Sequence, residues 1–141
     1  MIGYFDTSAV IPLVVAEVGT ARCADTWQRC DIRVSSLLLV VEAHAALAQA
    51  LRLQRLTMPE HRAALKLLRR RIGEVDMVMP NREIVDRAAT LSLDHALRGY
   101  DAVHAASALS LLAPDMVAVS GDHTLLNAWA ALGIATIDTG V

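Results

Sequence analysis

The sequence is poor in aromatic rings, with one Phe, two Trp and two Tyr in 141 residues. Its core must therefore be aliphatic, built from Ala, Leu, Val and Ile. Cysteine is scarce as well. Cys23 and Cys30 stand seven apart with no second pair, which excludes a zinc framework and favours two reduced, partly buried thiols. Apolar runs are short. "AVIPLVVA" and "LLLVV" fall far below the roughly 18 residues that cross a membrane. The N-terminus reaches Asp6 without a basic stretch, unlike a secretory leader. A cytoplasmic chain with no membrane partner is expected. Lys66 is the only lysine, and the formal net charge is −2, so a globally basic nucleic-acid binder is not indicated.

What is present is apolar. Hydrophobic residues make up 55% and mean hydropathy is +0.41, which excludes disorder. The length suits one core, and no linker, repeat or low-complexity segment interrupts it. Residues 1–141 therefore read as a single domain. The apolar surplus points to a face covered in a homodimer or by a partner.

Strands and helices alternate. "IGYF" (2–5) reads as a buried strand. A helix over 8–17 carries Pro12 near its first turn, and a second helix covers 20–29. "IRVS" (32–35) is the next strand. The spacing predicts a helix over 36–56, then one from the Thr57/Glu60 capping box to Ile72, closed by Gly73. "VDMVM" (75–79) is a third strand, and Asn81 caps a helix to about Leu93. A helix over 101–112 opens at Asp101. Strands at 116–120 and 134–138 flank a helix over 123–132. Continuous apolar strands alternating with helices imply an α/β fold: a mostly parallel sheet of about five strands, covered on both faces.

Four carboxylates break this pattern. Glu42 sits on the apolar face of "SSLLLVVEAHAALAQAL", where a charge needs an arginine, a proton or a metal. Asp6 follows the first strand, Asp122 follows the fourth, and Asp101 opens an otherwise apolar helix. Taken singly, Asp6 and Asp101 are ordinary helix caps, Asp122 is an ordinary turn residue, and Glu42 pairs with an arginine. Taken together, they converge on the carboxyl ends of the strands, where open α/β sheets bind ligands. Converging like charges repel, and an all-oxygen cluster suits Mg²⁺ or Mn²⁺. The chemistry expected is metal-assisted phosphoryl transfer or phosphodiester hydrolysis.

"FDTSAVI", the glutamate helix, "YDAVHAASA" and "VSGDHTLL" together resemble the PIN-domain ribonucleases, in particular the VapC toxins of type II toxin–antitoxin pairs. The resemblance covers nearly the whole chain. It implies a PIN-like three-layer α/β/α sandwich and a Mg²⁺-dependent endoribonuclease in which Mn²⁺ substitutes. Water activated by the ion would hydrolyse RNA phosphodiester bonds. It also implies a homodimer and a VapB-like antitoxin, with higher toxin–antitoxin assembly. Asp6, Glu42 and Asp101 match the acidic triad, and Asp122 matches the fourth acid. Ser120 matches the hydroxyl beside that acid, and Thr7 and Ser8 match the polar pair of the first motif. Leu39 departs from the small or hydroxyl residue that relatives often carry there. Whether Glu42 is ligand or base stays open. Two other functions compete. An aspartate-based phosphotransferase needs a second aspartate where Ser8 stands, and a non-catalytic PIN-like binding module has no use for four acids.

His104 lies three residues past Asp101 and shares its face. A mixed His/carboxylate site is one reading, and a packed histidine bonded to backbone is the favoured one. Arg52, Arg55, Arg69 and Arg70, on the two long helices, either contact phosphates or an acidic partner or form a solvated face with intrahelical pairs. Arg98 either binds RNA or neutralises a neighbouring acid.

Overall fold

A computed structural model describes residues 1–140. Among them five strands form one parallel sheet: β1 (Ile2–Phe5), β2 (Ile32–Ser36), β3 (Asp76–Val78), β4 (Met116–Ser120) and β5 (Ala135–Asp138), in the order β3-β2-β1-β4-β5. Parallel neighbours need crossover connections, and the helices supply them. They are α1 (Thr7–Val10), α2 (Thr20–Arg29), α3 (Leu38–Arg52), α4 (Met58–Ile72), α5 (Arg82–Asp94), α6 (Gly99–Leu109) and α7 (His123–Ala131).

Side chains alternate across the sheet, as the pleat requires. Tyr4 and Ala118 face one way, into a core built with α5, α6 and α7. Phe5, Val117 and Val119 face the other way, into a core built with α1 to α4. The result is the expected three-layer α/β/α arrangement. The chain leaves β1 toward β2 and later returns to place β4 on the opposite side of β1. The sheet's switch point therefore lies between β1 and β4, and in open α/β sheets the crevice beyond the strand ends at such a point is where ligands bind. No helix among the described residues is long and apolar enough to cross a membrane.

Element boundaries depart from the sequence expectation in three informative places. The helix expected over 8–17 is only the single turn of α1, followed by a 3-10 turn at Ile11–Leu13. Pro12 stands inside this segment. It lacks the N–H needed to continue the α pattern. The helix expected over 36–56 ends at Arg52, and Gln54 turns the chain with φ 58°. α6 begins at Gly99, capped by Arg98, so Asp101 lies inside the first turn rather than opening the helix. The Thr57/Glu60 capping box and the Asn81 cap are both formed.

Gly3 has a packing reason. A Cβ there would collide with Cys30 Sγ and lie 2.7 Å from Phe5 Cε2. Both neighbours are buried. Gly3→Ala is expected to cost about 2 kcal/mol of stability, read as a lower midpoint in urea unfolding with an unchanged slope.

Candidate active site

The crevice at the switch point is built from the ends of four elements. β1 ends at Phe5, and Asp6 immediately caps α1. Its Oδ1 accepts from Ser8 Oγ at 2.7 Å and from the Ala9 amide at 3.2 Å. Among the described residues no hydrogen bond ends on Asp6 Oδ2. Asp6 is 5% exposed. Burial pushes its carboxyl from 3.8 up to about 6, and the His104 imidazole and the Ser8 and Ser120 hydroxyls oppose this without cancelling it. A cap on a four-residue helix does not require this burial, so the capping reading explains Asp6 Oδ1 and leaves its Oδ2 unexplained.

Ser8 is the hub that ties β1 to β4. Its hydroxyl also lies 3.2 Å from Ser120 Oγ and accepts from the Gly121 amide at 2.8 Å. Ser120 Oγ in turn accepts from the Asp122 amide at 2.9 Å. Asp122 caps α7, with Oδ1 accepting from the Thr124 and Leu125 amides. Thr7, the residue between Asp6 and Ser8, donates to Glu42 Oε1 at 2.9 Å.

Glu42 is held by a second donor that sequence reasoning did not assign. His104 Nε2 lies 2.6 Å from the same Oε1, and His104 Nδ1 lies 2.8 Å from the Tyr4 hydroxyl. The glutamate in the apolar helix therefore has a histidine partner rather than an arginine. Burial raises the Glu42 carboxyl, but the His104 hydrogen bond and charge and the Thr7 hydrogen bond outweigh it and hold Glu42 below the usual carboxylate value. His104 is buried as expected, yet it bonds to side chains and not to backbone. The histidine ring that does meet a backbone carbonyl is His44, at Val40 O. Tyr4 had one available signal: a phenol in a buried strand must find a polar partner.

Asp101 and Asp122 share Arg98. Arg98 Nε donates to Asp101 Oδ2 at 3.1 Å, and its Nη2 lies 3.9 Å from Asp122 Oδ2. The Arg98 side chain is 84% exposed, so these pairs are worth little in stability. They do show that the two carboxylates face a common cation. Arg98 thus tethers Asp101 to Asp122, whereas Asp6 and Glu42 are linked only through the adjoining residues Thr7 and Ser8. Among the described residues no three His, Cys, Asp or Glu side chains already crowd together closely enough to share an ion.

The donor set fits a hard divalent cation. All four acids offer carboxylate oxygen. Asp6 and Glu42 are each tied through one oxygen only, and Asp6 is a buried acid with no hydrogen-bonded basic side chain. A cation at Asp6 Oδ2 would supply the compensation that its surroundings lack.

Arg52, Arg55, Arg69 and Arg70 are exposed on α3, α4 and the loop between them. Among the described residues none of the four forms an ion pair, so the intrahelical pairing expected of a solvated face is not formed. Arg71 behaves differently. It stacks 5.8 Å from the Trp27 ring centroid and pairs with Glu74.

A family model described as the PIN domain matches residues 3–128. Ribonuclease VapC45 of Mycobacterium tuberculosis (strain CDC 1551 / Oshkosh) is 37% identical over 122 residues, which is 86% of this chain and 85% of that protein. Among solved structures, PAE2754 from Pyrobaculum aerophilum superposes with a TM-score of 0.73 at 23% identity, over 99% of this chain and 90% of that one. VapBC-5 from Mycobacterium tuberculosis, a member of the VapBC family of toxin–antitoxin systems, superposes with a TM-score of 0.62 at 18% identity, over 97% and 98% of the two chains.

Proposed function

Because the chain belongs to the PIN domain family, we propose that it is a divalent-metal-dependent endoribonuclease that acts as the toxin of a toxin–antitoxin pair. The observation that supports this reading most is a polar network among the acids: Ser8 and Ser120 link the Asp6 carboxylate to the Asp122 amide, Arg98 links Asp122 to Asp101, and Thr7, next to Asp6, donates to Glu42. Ribonuclease VapC45 supports RNA as substrate, and VapBC-5 supports a VapB-like antitoxin as partner. Residues 1–141 are read as one PIN-like domain, acting on RNA in the cytoplasm.

Asp6, Glu42, Asp101 and Asp122 would hold the ion. When bound, Mg²⁺ or Mn²⁺ supplies charge neutralisation at the phosphoryl group and acidifies the attacking water. The residues around it do the rest. Ser8 and Ala9 fix the Asp6 carboxylate by its Oδ1, and Thr7 and His104 fix Glu42 by its Oε1. Glu42 is held ionised, which makes it a weak base and a dependable anion; it is assigned to the ligand role. The Arg98 guanidinium, 84% exposed beside Asp101 and Asp122, would be available to meet a phosphate at the crevice mouth. Arg52, Arg55, Arg69 and Arg70 offer further unpaired charge for RNA or for an acidic antitoxin. Val41 and Tyr100 are exposed apolar side chains and suit a homodimer contact, which sedimentation of the purified chain would test.

The test is cleavage of labelled RNA by the purified protein in Mg²⁺, with its loss in EDTA. Asp101→Asn is expected to lower cleavage about a hundredfold, a change of ~2.7 kcal/mol in the barrier. Full cleavage by Asp101→Asn, or in EDTA, would remove this site from the reaction.

A further inference from the structure

His104 is buried to 1% exposure and held at both ring nitrogens, by Glu42 Oε1 at 2.6 Å and by the Tyr4 hydroxyl at 2.8 Å. Tyr4 is itself fully buried in β1 and packs edge-on against Trp129, with ring centroids 5.7 Å apart. An ionised Glu42 offers only acceptors, so Nε2 carries the hydrogen between them. In the neutral ring Nδ1 accepts from the Tyr4 hydroxyl; in the protonated ring Nδ1 donates to the Tyr4 oxygen. Either way the imidazole cannot turn without breaking a buried hydrogen bond, which is costly.

The arrangement is asymmetric on Glu42. Thr7 and His104 both converge on Oε1, and among the described residues no hydrogen bond ends on Oε2. A glutamate side chain not already fixed loses rotamer freedom when it takes hold of an ion, and that loss weakens binding. The brace also crosses layers. Tyr4 belongs to the core under α5, α6 and α7, whereas the helix carrying Glu42 packs into the opposite core.

We propose that His104, braced by Tyr4, is a positioning residue that locks the Glu42 carboxylate through Oε1 and presents Oε2 to a divalent cation. This rests on the reading of Glu42 as an ion-holding acid. It extends that reading to the core: the ion site is preorganised by a Tyr–His pair anchored in the sheet rather than by the crevice loops alone. Hydrogen-bonded supports of metal-holding carboxylates commonly contribute tenfold or more to affinity.

The test is Mn²⁺ binding to the metal-free protein by calorimetry, with urea unfolding of the same samples without metal. Wild type is expected to bind and Glu42→Gln to lose binding. His104→Phe, which keeps bulk and removes both nitrogens, should weaken binding about tenfold or more. His104→Gln restores a donor near the Nε2 position and should recover most of that loss. Tyr4→Phe should weaken binding about threefold. If His104→Phe does not fold, Tyr4→Phe and His104→Gln decide. Wild-type affinity in a folded His104→Phe or Tyr4→Phe overturns the proposal, as does equal weakness of His104→Phe and His104→Gln. A merely structural role would lower stability in urea and leave Mn²⁺ affinity unchanged. Wild-type protein that does not bind Mn²⁺ removes the site reading and the inference with it. Binding that is lost in Glu42→Gln but indifferent to His104 overturns the inference alone.

Discussion

Asp6→Asn is expected to lower RNA cleavage by about a thousandfold or more while making the metal-free protein more stable at pH 8. The two effects have one cause. Asp6 is buried, and its carboxyl binds its proton more tightly folded, at about 6, than in an ordinary environment at 3.8. Its favourable contribution is therefore complete below 3.8 and is lost as pH rises through about 6. That difference is ~3 kcal/mol at about 1.36 kcal/mol per pH unit. Asparagine keeps Oδ1 as acceptor for Ser8 and the Ala9 amide, so the α1 cap survives. Burying its amide without a partner costs about 1 kcal/mol. A net gain of about 1–2 kcal/mol at pH 8, absent at pH 4, is expected in urea unfolding. The same substitution removes the oxygen left for a cation, and several kcal/mol of transition-state stabilisation goes with it. A destabilised Asp6→Asn with intact cleavage would make Asp6 a helix cap and nothing more.

Glu42→Gln is expected to lower cleavage to a similar degree with the opposite effect on stability. Glu42 is not a repelled charge. Thr7 and His104 both donate to it, and its carboxyl is held below the ordinary value of 4.5. A group whose folded value is depressed contributes stability above its unfolded value and loses it as pH falls through the folded one. The amide keeps an acceptor but loses charge assistance, so metal-free Glu42→Gln should be about 1 kcal/mol less stable at pH 7. The difference should vanish well below pH 4.5. With Asp6 penalised as pH rises from 3.8 through about 6 and Glu42 penalised as it falls below 4.5, the two acids together place the stability maximum of the metal-free wild type at or below about pH 4.5, with stability falling from there toward pH 8. Urea midpoints measured from pH 3 to pH 8 check this. A Glu42→Gln protein more stable than wild type at pH 7 would mean that carboxylate repulsion dominates at Glu42 after all.

The opposite signs at Asp6 and Glu42 separate what the chain's letters could reveal from what they could not. Period and punctuation sufficed for the α/β layering, because continuous apolar strands alternating with amphipathic helices leave few alternatives. The Thr57/Glu60 box and the Asn81 cap were legible because their donors and acceptors lie within four residues of each other. The helix over 8–17 was not, since it depended on whether Pro12 would be tolerated or would end a turn. Asp101 precedes an apolar run and so resembles a cap in sequence; the backbone instead enters the helix at Gly99.

At the crevice, the order of residues is enough to show which types are out of place: four acids, each beside a strand end or in an apolar helix, with Thr7, Ser8 and Ser120 near them. That information is local, because an acid on an apolar face is anomalous wherever its partner lies. Which group compensates which acid is set by the folded chain. Tyr4, Glu42 and His104 are separated by 38 and 62 positions, and nothing in their spacing joins them. They meet because the sheet order brings β1 to the centre and lays α3 and α6 in opposite layers across its end. The same closure buries Asp6 and raises its carboxyl while tethering Glu42 and lowering its own. Hydrogen bonds and desolvation act over a few ångströms, so the properties of these acids belong to the folded chain and not to its order of residues.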